Sequence, residues 1–401
     1  MGAAPAARPA CHQPQTVFLA LWGLALIGII FDLTFDLALP PQAVFNPAAL
    51  GAPDRSDTFV WSAYFVFAQN KFGLLTAILF GALCRDVLAR GERRRWLRYH
   101  FVMAVLLCAG LAHWAVFLAG NLMGGLALAG ICLTLFAGLP SRALYAAAIG
   151  LVALHVGGTM VMLGGSVADF YQGRTGTDAA LFAERAYGSD GPALADATAH
   201  GREGLDERIA RARGDIGNAL SELVGALPLN LAGAVLGMAL AKDRLFAGEW
   251  RIFRMQRLAG ICAVIAIPAL IALAWWPASE GFPGALIGVS LAVLSAPFDV
   301  LLAMTYAVLG VAFLVPAARV TGILAAAGRM ALSNYLIASL LLAGMFAGWG
   351  AGLFAELTRL QVLAIGLAVA ALALLWSALW LRIAPYGPVE WFITKLGGPA
   401  A

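Results

Sequence analysis

His113, Asp32 and Asp36 are the residues of this chain best suited to moving a proton in an apolar setting. A neutral imidazole accepts a proton from a hydroxyl or an amine, and a nearby carboxylate can orient it. Asp32 and Asp36 are four residues apart, so a helix presents both on one face. Bland readings stand beside these roles: a structural ring bonded to a carbonyl for His113, and solvated interfacial carboxylates for the aspartate pair. Lys71 is either a substrate-binding cation or a side chain snorkelling to headgroups. Asn121, Arg329, Asn334, Tyr335 and Glu390 are the further candidates for binding substrate. His155, Glu222 and Asp299 also fall within or at the ends of apolar runs. His113 and His155, at matching depth, would also permit a bis-histidine haem, on a weak signal. No metal site is expected: the five cysteines are scattered, and Cys11, Cys84, Cys108, Cys132 and Cys262 form no CxxC pair. No P-loop, GxGxxG, HExxH or GxSxG motif occurs in a plausible context.

These polar residues stand out because of what surrounds them. Of 401 residues, 62% are hydrophobic and only 12% charged, with a mean hydropathy of +0.85. A water-soluble domain carries about a quarter charged residues, so most of the outer surface must face lipid. Lipid requires every backbone group to be paired internally, which leaves helices or closed barrels. The apolar runs are about 20 residues long and do not alternate, as tilted barrel strands would. The fold class is therefore all-α: a polytopic integral membrane helix bundle of about ten transmembrane helices with one short hydrophilic insertion. Ionisable residues at such depth are costly, and each is a functional candidate for that reason. The net charge of +4, with no basic patch interleaved with aromatics, gives no sign of nucleic acid binding.

The expected spans are 17–37, 72–88, 99–118, 122–139, 143–163, 219–240, 258–276, 286–314, 330–349 and 360–381. The stretch 58–67 reads as an interfacial helix. The eighth run is overlong and holds Pro297 and Asp299, so it is kinked, tilted or broken into halves. Three regions result: an N-terminal membrane bundle over 1–163, a hydrophilic insertion over 164–218 and a C-terminal membrane bundle over 219–401. Arg85, Arg90, Arg93, Arg94, Arg95 and Arg98 crowd one loop, and Lys242, Arg244, Arg251, Arg254 and Arg257 another. The positive-inside rule then puts both termini in the cytoplasm and the insertion outside. Gly120/Gly124, Gly284/Gly288 and Gly344/Gly348 are spaced for close helix approach.

The C-terminal part carries a more specific pattern. Gly328-Arg329-Met330-Ala331-Leu332-Ser333-Asn334-Tyr335-Leu336, followed by apolar spans and then Tyr386-Gly387-Pro388-Val389-Glu390-Trp391, resembles the C-terminal domain of the YeiB-like family of bacterial membrane proteins. Lys71-Phe72 through Phe80-Gly81, Gly110-Leu111-Ala112-His113 and Leu236-Gly237-Met238 resemble other parts of that family, so the likeness covers most of the chain. The family is distantly similar to multispan membrane acyltransferases such as heparan-α-glucosaminide N-acetyltransferase. The resemblance implies acyl transfer from a cytoplasmic thioester, acetyl-CoA or another, to a small-molecule or lipid-linked acceptor. It also implies residence in the bacterial inner membrane, and it makes His113 the match to the family's histidine. Two departures are visible: Leu19 and Trp22 stand where the family has an Asp and an Arg before Gly23, and Asn121 stands where it has an Asp.

The expected function is that of an acyltransferase-like protein, either active or diverged to an inactive form. His113 and Asp32 would be catalytic, and Lys71, Asn121, Arg329, Asn334, Tyr335 and Glu390 would bind substrate. The alternatives are a transporter of a small amphiphile, suggested by the broken eighth run with Asp299, and a non-catalytic accessory subunit. Membrane lipids are the expected partners, with homo-oligomerisation open.

Overall fold

The computed structural model describes residues 14–88, 93–117, 120–188, 191–200, 205–315 and 317–397. Cys11, Arg90 and the end of the third expected span at Leu118 lie outside them. All described regular structure is helical. In chain order the helices are α1 (Pro14–Ala38), α2 (Pro41–Phe45), α3 (Arg55–Phe67), α4 (Lys71–Leu88), α5 (Arg93–Phe117) and α6 (Leu122–Leu133). Next come α7 (Ser141–Tyr171), α8 (Asp178–Tyr187), α9 (Gly191–His200), α10 (Leu205–Lys242), α11 (Ile252–Ser279) and α12 (Gly284–Gly288). The chain finishes with α13 (Ala296–Leu314), α14 (Ala318–Arg329), α15 (Ala331–Phe346), α16 (Arg359–Trp380) and α17 (Pro388–Gly397). Among the described residues, eight helical segments are long and apolar enough to cross a membrane, and α14 with α15 makes a ninth, bent by 75°. The fourth expected span, 122–139, is the shorter apolar helical stretch Leu122–Phe136. The chain is thus an all-α, multipass membrane bundle.

α1 runs through the middle of the bundle, against α14, α15, α16, α4 and α13. Glycine makes the closest of these crossings possible. A Cβ on Gly23 would lie 2.0 Å from Leu324 O, and one on Gly328 1.8 Å from Leu19 O, so the α1 and α14 backbones touch. α4 and α10 meet in the same way, where a Cβ on Gly81 or Gly237 would fall 1.8 Å from Ala234 O or Ile78 O. Such contacts replace the hydrophobic drive that lipid cannot supply between helices. Of the expected glycine pairs, Gly284 and Gly288 do take close contacts, from α8, whereas Gly344 has open space where a Cβ would be.

Two expectations gain detail. The stretch 58–67 is not a surface helix. It lies in α3, which packs on α11 and α16 with Trp61, Phe65 and Val66 buried, and a three-residue turn through Asn70 at positive φ joins it to α4. Trp61, Tyr64 and Phe65 are buried between helices, while Phe59 and Phe67 stay exposed. The eighth run is broken: α12 passes into a π-helical stretch, Val289–Leu294, where Ser295 N donates to Ser290 O at 3.0 Å. α13 then starts afresh with Pro297 in its first turn, where a missing N–H costs nothing.

The described residues of the hydrophilic insertion are mostly helical. α7 extends to Tyr171, α10 begins at Leu205, and α8 packs on α7, α12 and α2. Gln42 Nε2 donates to Arg185 O at 3.1 Å, and Asn46 Nδ2 to Tyr187 O at 2.7 Å and Phe282 O at 2.9 Å. Arg359, buried at the start of α16, donates to Ala43 O and Asn46 O. The α1–α3 connection is therefore tied down from both sides and closes one end of the bundle.

Candidate functional site

Beneath that closed end lies a cavity of about 440 Å³. α1 contributes Asp32 and Asp36, one helical turn apart. α3 contributes Tyr64, the following turn Gln69 and Asn70, and α10 Glu222 and Asn230. Asn121, His155, Asp299 and Tyr335 complete its polar lining, with Phe45 of α2 and Tyr187 of α8 forming part of the wall. Four carboxylates and no Lys or Arg are among the described lining residues.

Each carboxylate has a different setting. Asp32 Oδ1 accepts from Tyr64 OH at 2.7 Å. Asp299 is fully buried, 2.6 Å from Lys71 Nζ, with Ser295 Oγ 2.8 Å from its other oxygen. Lys71 also donates to Phe65 O, a carbonyl at the end of α3. The break before α13 thus places Asp299 where the N-terminal end of α4 supplies its counter-charge. Asp36 and Glu222 have no cationic partner among the lining residues. Buried groups without partners face the same space: neither amide atom of Gln69, which is 3% exposed, nor either amide atom of Asn121 has a hydrogen-bond partner. Buried polar atoms are nearly always satisfied, so these amides are arranged to meet both donors and acceptors.

Of the residues expected to act, Asp32, Asn121 and Tyr335 line the cavity, and Lys71 reaches it through Asp299. His113 does not line it. Its ring is 5% exposed and lies between Tyr335 and Phe117, with centroids 4.8 and 4.7 Å away. Its Nε2 is 2.8 Å from Ser339 Oγ. The Ser339 hydroxyl also lies 2.9 Å from Tyr335 O, so the imidazole, Ser339 and the Tyr335 carbonyl form one hydrogen-bonded chain. The two expected haem ligands share no pocket, since His155 faces the cavity and His113 does not. Tyr335, whose hydroxyl is 3.4 Å from Gly120 O, forms the partition between His113 and the cavity.

Arg329, Asn334 and Glu390 are elsewhere. Arg329 is exposed at the end of α14. Glu390 caps α15: its Oε1 accepts from Leu332 N at 2.8 Å and Ser333 N at 3.0 Å, and its Oε2 bonds the Ser333 hydroxyl. A carboxylate there satisfies orphan N–H groups and complements the helix dipole. A Cβ on Gly387 would lie 2.6 Å from Ser333 Oγ, and Trp380 Nε1 donates to Tyr386 O at 2.9 Å. The C-terminal motif is therefore a clamp joining α15, α16 and α17.

The uncharacterized protein YeiB of Escherichia coli (strain K12) is 33% identical over 392 residues, covering 94% of this chain and 96% of the relative. The chain belongs to the YeiB family. The family described as "Protein of unknown function (DUF418)" matches residues 240–397, which hold α11 to α17 and the clamp. The uncharacterized protein YxaH of Bacillus subtilis (strain 168) is 35% identical over 102 residues, a quarter of this chain and 24% of its own length. No solved structure matches the chain. In this chain the clamp residues Ser333, Gly387 and Glu390 hold architecture, while Tyr335 lines the cavity.

Sequence reasoning missed Tyr64, Gln69, Asn230 and Tyr187. Tyr64 was masked by its aromatic neighbours, and the others became significant only once α3, α8 and α10 were brought together. Gln69 carried a usable signal, as a polar residue at the mouth of an apolar run.

Proposed function

We propose that the chain is a membrane acyltransferase whose acceptor, a small molecule bearing hydroxyl and amine groups, occupies the acid-lined cavity. The observation that carries this reading is the pairing of carboxylates lacking cations, Asp36 and Glu222, with the unpartnered amides of Gln69 and Asn121. Unneutralised carboxylates at membrane depth are costly unless they hold protons or meet a cationic group. An acceptor amine meets that need, and its hydroxyls match the amides. The donor, by the family resemblance, is an acyl thioester arriving at the arginine-rich cytoplasmic face. In the transfer the thioester C–S bond breaks and a C–N or C–O bond forms. The acceptor proton passes to an Asp32 or Asp36 carboxylate, and the thiolate leaves to be protonated by solvent. Asp32 is oriented by Tyr64. His113 acts behind Tyr335, as a positioning residue for that ring, with residence in the inner membrane and cytoplasmic termini as part of the same reading.

A second reading, transport, is favoured by the buried Lys71–Asp299 pair beside the π-helical break, since broken helices with paired charges are used for coupling sites. One experiment separates them. Purified protein in nanodiscs is given radiolabelled acetyl-CoA and a panel of amino sugars and polyols. The proposal expects labelled acceptor, lost in Asp36→Asn and retained in Asp54→Asn, a substitution on the outer rim. Absence of transfer, together with uptake of the same acceptors into proteoliposomes without donor, would favour transport.

A further inference from the structure

A second cavity of about 300 Å³ lies between α15 and α16, lined by Asn334, Ile337, Leu341, Val369, Leu372 and Trp376, with Ala338 and Ala373 at its floor. It shares no lining residue with the acid-lined cavity other than through neighbouring positions on α15. Two polar atoms in this otherwise apolar lining have no partner: Asn334 Oδ1 and Trp376 Nε1.

The Asn334 amide cannot be turned to remove the problem. Its Nδ2 is 2.7 Å from Ser377 Oγ and 3.3 Å from Ala327 O. Ala327 O can only accept, and the Ser377 hydroxyl proton is committed to Ala373 O at 2.7 Å. Both neighbours therefore require a donor, which fixes Nδ2 toward them and leaves Oδ1 as a bare acceptor on a residue 1% exposed. Trp376 is held by its ring against Trp380, with centroids 4.9 Å apart, while Trp380 spends its own N–H on Tyr386 O. In a lipid-facing groove no bulk water is at hand to satisfy either atom. Asn334 is in the first turn of α15 and Trp376 in the last two turns of α16, so both stand at the same end of the groove. The apolar residues continue from them along both helices.

We infer that this groove binds a membrane lipid carrying a free hydroxyl at the glycerol level, of the diacylglycerol type. The hydroxyl donates to Asn334 Oδ1 and accepts from Trp376 Nε1, and one acyl chain lies along Ile337, Leu341, Val369 and Leu372. A hydroxyl both donates and accepts, as these two atoms require, and an attached chain matches the rest of the lining. The site stands independently of acyl transfer.

The test is photolabelling in nanodiscs with a diacylglycerol carrying a diazirine on its acyl chain. Its O-methyl ether, which cannot donate, serves as control. The expected result is labelling of peptides spanning 337–341 and 369–373, competed by unlabelled diacylglycerol and not by the ether. Trp376→Phe keeps the ring and removes the N–H, and should lower labelling about fivefold, the value of one net hydrogen bond. The melting temperatures of wild type and Trp376→Phe, read side by side, check that any loss is not misfolding. Equal labelling by the ether, or no change in Trp376→Phe, would show ordinary annular lipid and overturn the assignment.

Discussion

Removing one member of the Lys71–Asp299 pair should destabilise the bundle far more than removing both. The charges are 2.6 Å apart and almost wholly buried, with side-chain exposures of 1% and 0%. At an effective dielectric constant of about 20 their attraction is about 6 kcal/mol. Withdrawing each ion from water costs several kcal/mol, which cancels most of that gain. The pair is thus nearly neutral as a unit, but each member alone becomes an uncompensated buried charge. Asp299→Asn leaves Lys71 without its counter-charge, beside the Phe65 carbonyl and ring, and Lys71→Met leaves the Asp299 carboxylate with only the neutral Ser295 and Asn70 side chains. Each should lose about 3–5 kcal/mol. The double variant has no charge left to strand, so the coupling should be at least about 2 kcal/mol. Denaturant titration of the four proteins in mixed micelles measures this. Losses below about 1 kcal/mol for each single variant, or simple additivity, would refute the reasoning that the charges are desolvated.

Other predictions follow from the same geometry. Glu390→Ala should cost about 1–2 kcal/mol by uncapping α15, and limited proteolysis should release the α17 segment. Gly237→Ala should cost about 1–3 kcal/mol by forcing α10 away from Ile78 O, measured as a lower melting temperature, whereas Gly344→Ala, with open space, should be nearly silent. Asp54 caps α3, accepting from Asp57 N at 2.7 Å and from the Ser56 hydroxyl at 2.9 Å, and these bonds hold its carboxyl below the ordinary carboxylate range. A depressed folded-state pKa stabilises the fold above the ordinary carboxylate value, and the gain fades as pH falls through the folded one. The stability gap between wild type and Asp54→Ala should accordingly shrink in acid, as read by melting at pH 7 and pH 3.

The bundle was legible because lipid leaves so few solutions: runs such as Val17–Leu37 and Leu360–Leu381 can only be helices, and α1 and α16 match them closely. Aspartates and the lysine at membrane depth also stood out, since burying them needs a reason. What could not be read was which of them meet. Lys71 and Asp299 are far apart in sequence, and no local pattern pairs them. His113 looked poised for chemistry from its spacing, yet its neighbours Tyr335 and Ser339 come from α15, whose rotation is set by the clamp at Glu390. Asn334 and Tyr335 are adjacent in sequence, but successive helical side chains diverge, so one faces the lipid-side groove and the other the acid-lined cavity. The aromatic run before α4 misled because an amphipathic-looking segment can bury its rings against helices as well as headgroups.

Polar access at Asp36 and its absence at His113 decide which of the two residues can meet a substrate. In a background with the native cysteines replaced by alanine, Asp36→Cys and His113→Cys are each treated with a small, charged, membrane-impermeant thiosulfonate. Prompt modification of the Asp36→Cys variant, with the His113→Cys variant protected until denatured, is the result expected. Protection at position 36 in folded protein, or equal reaction at both positions, would contradict it.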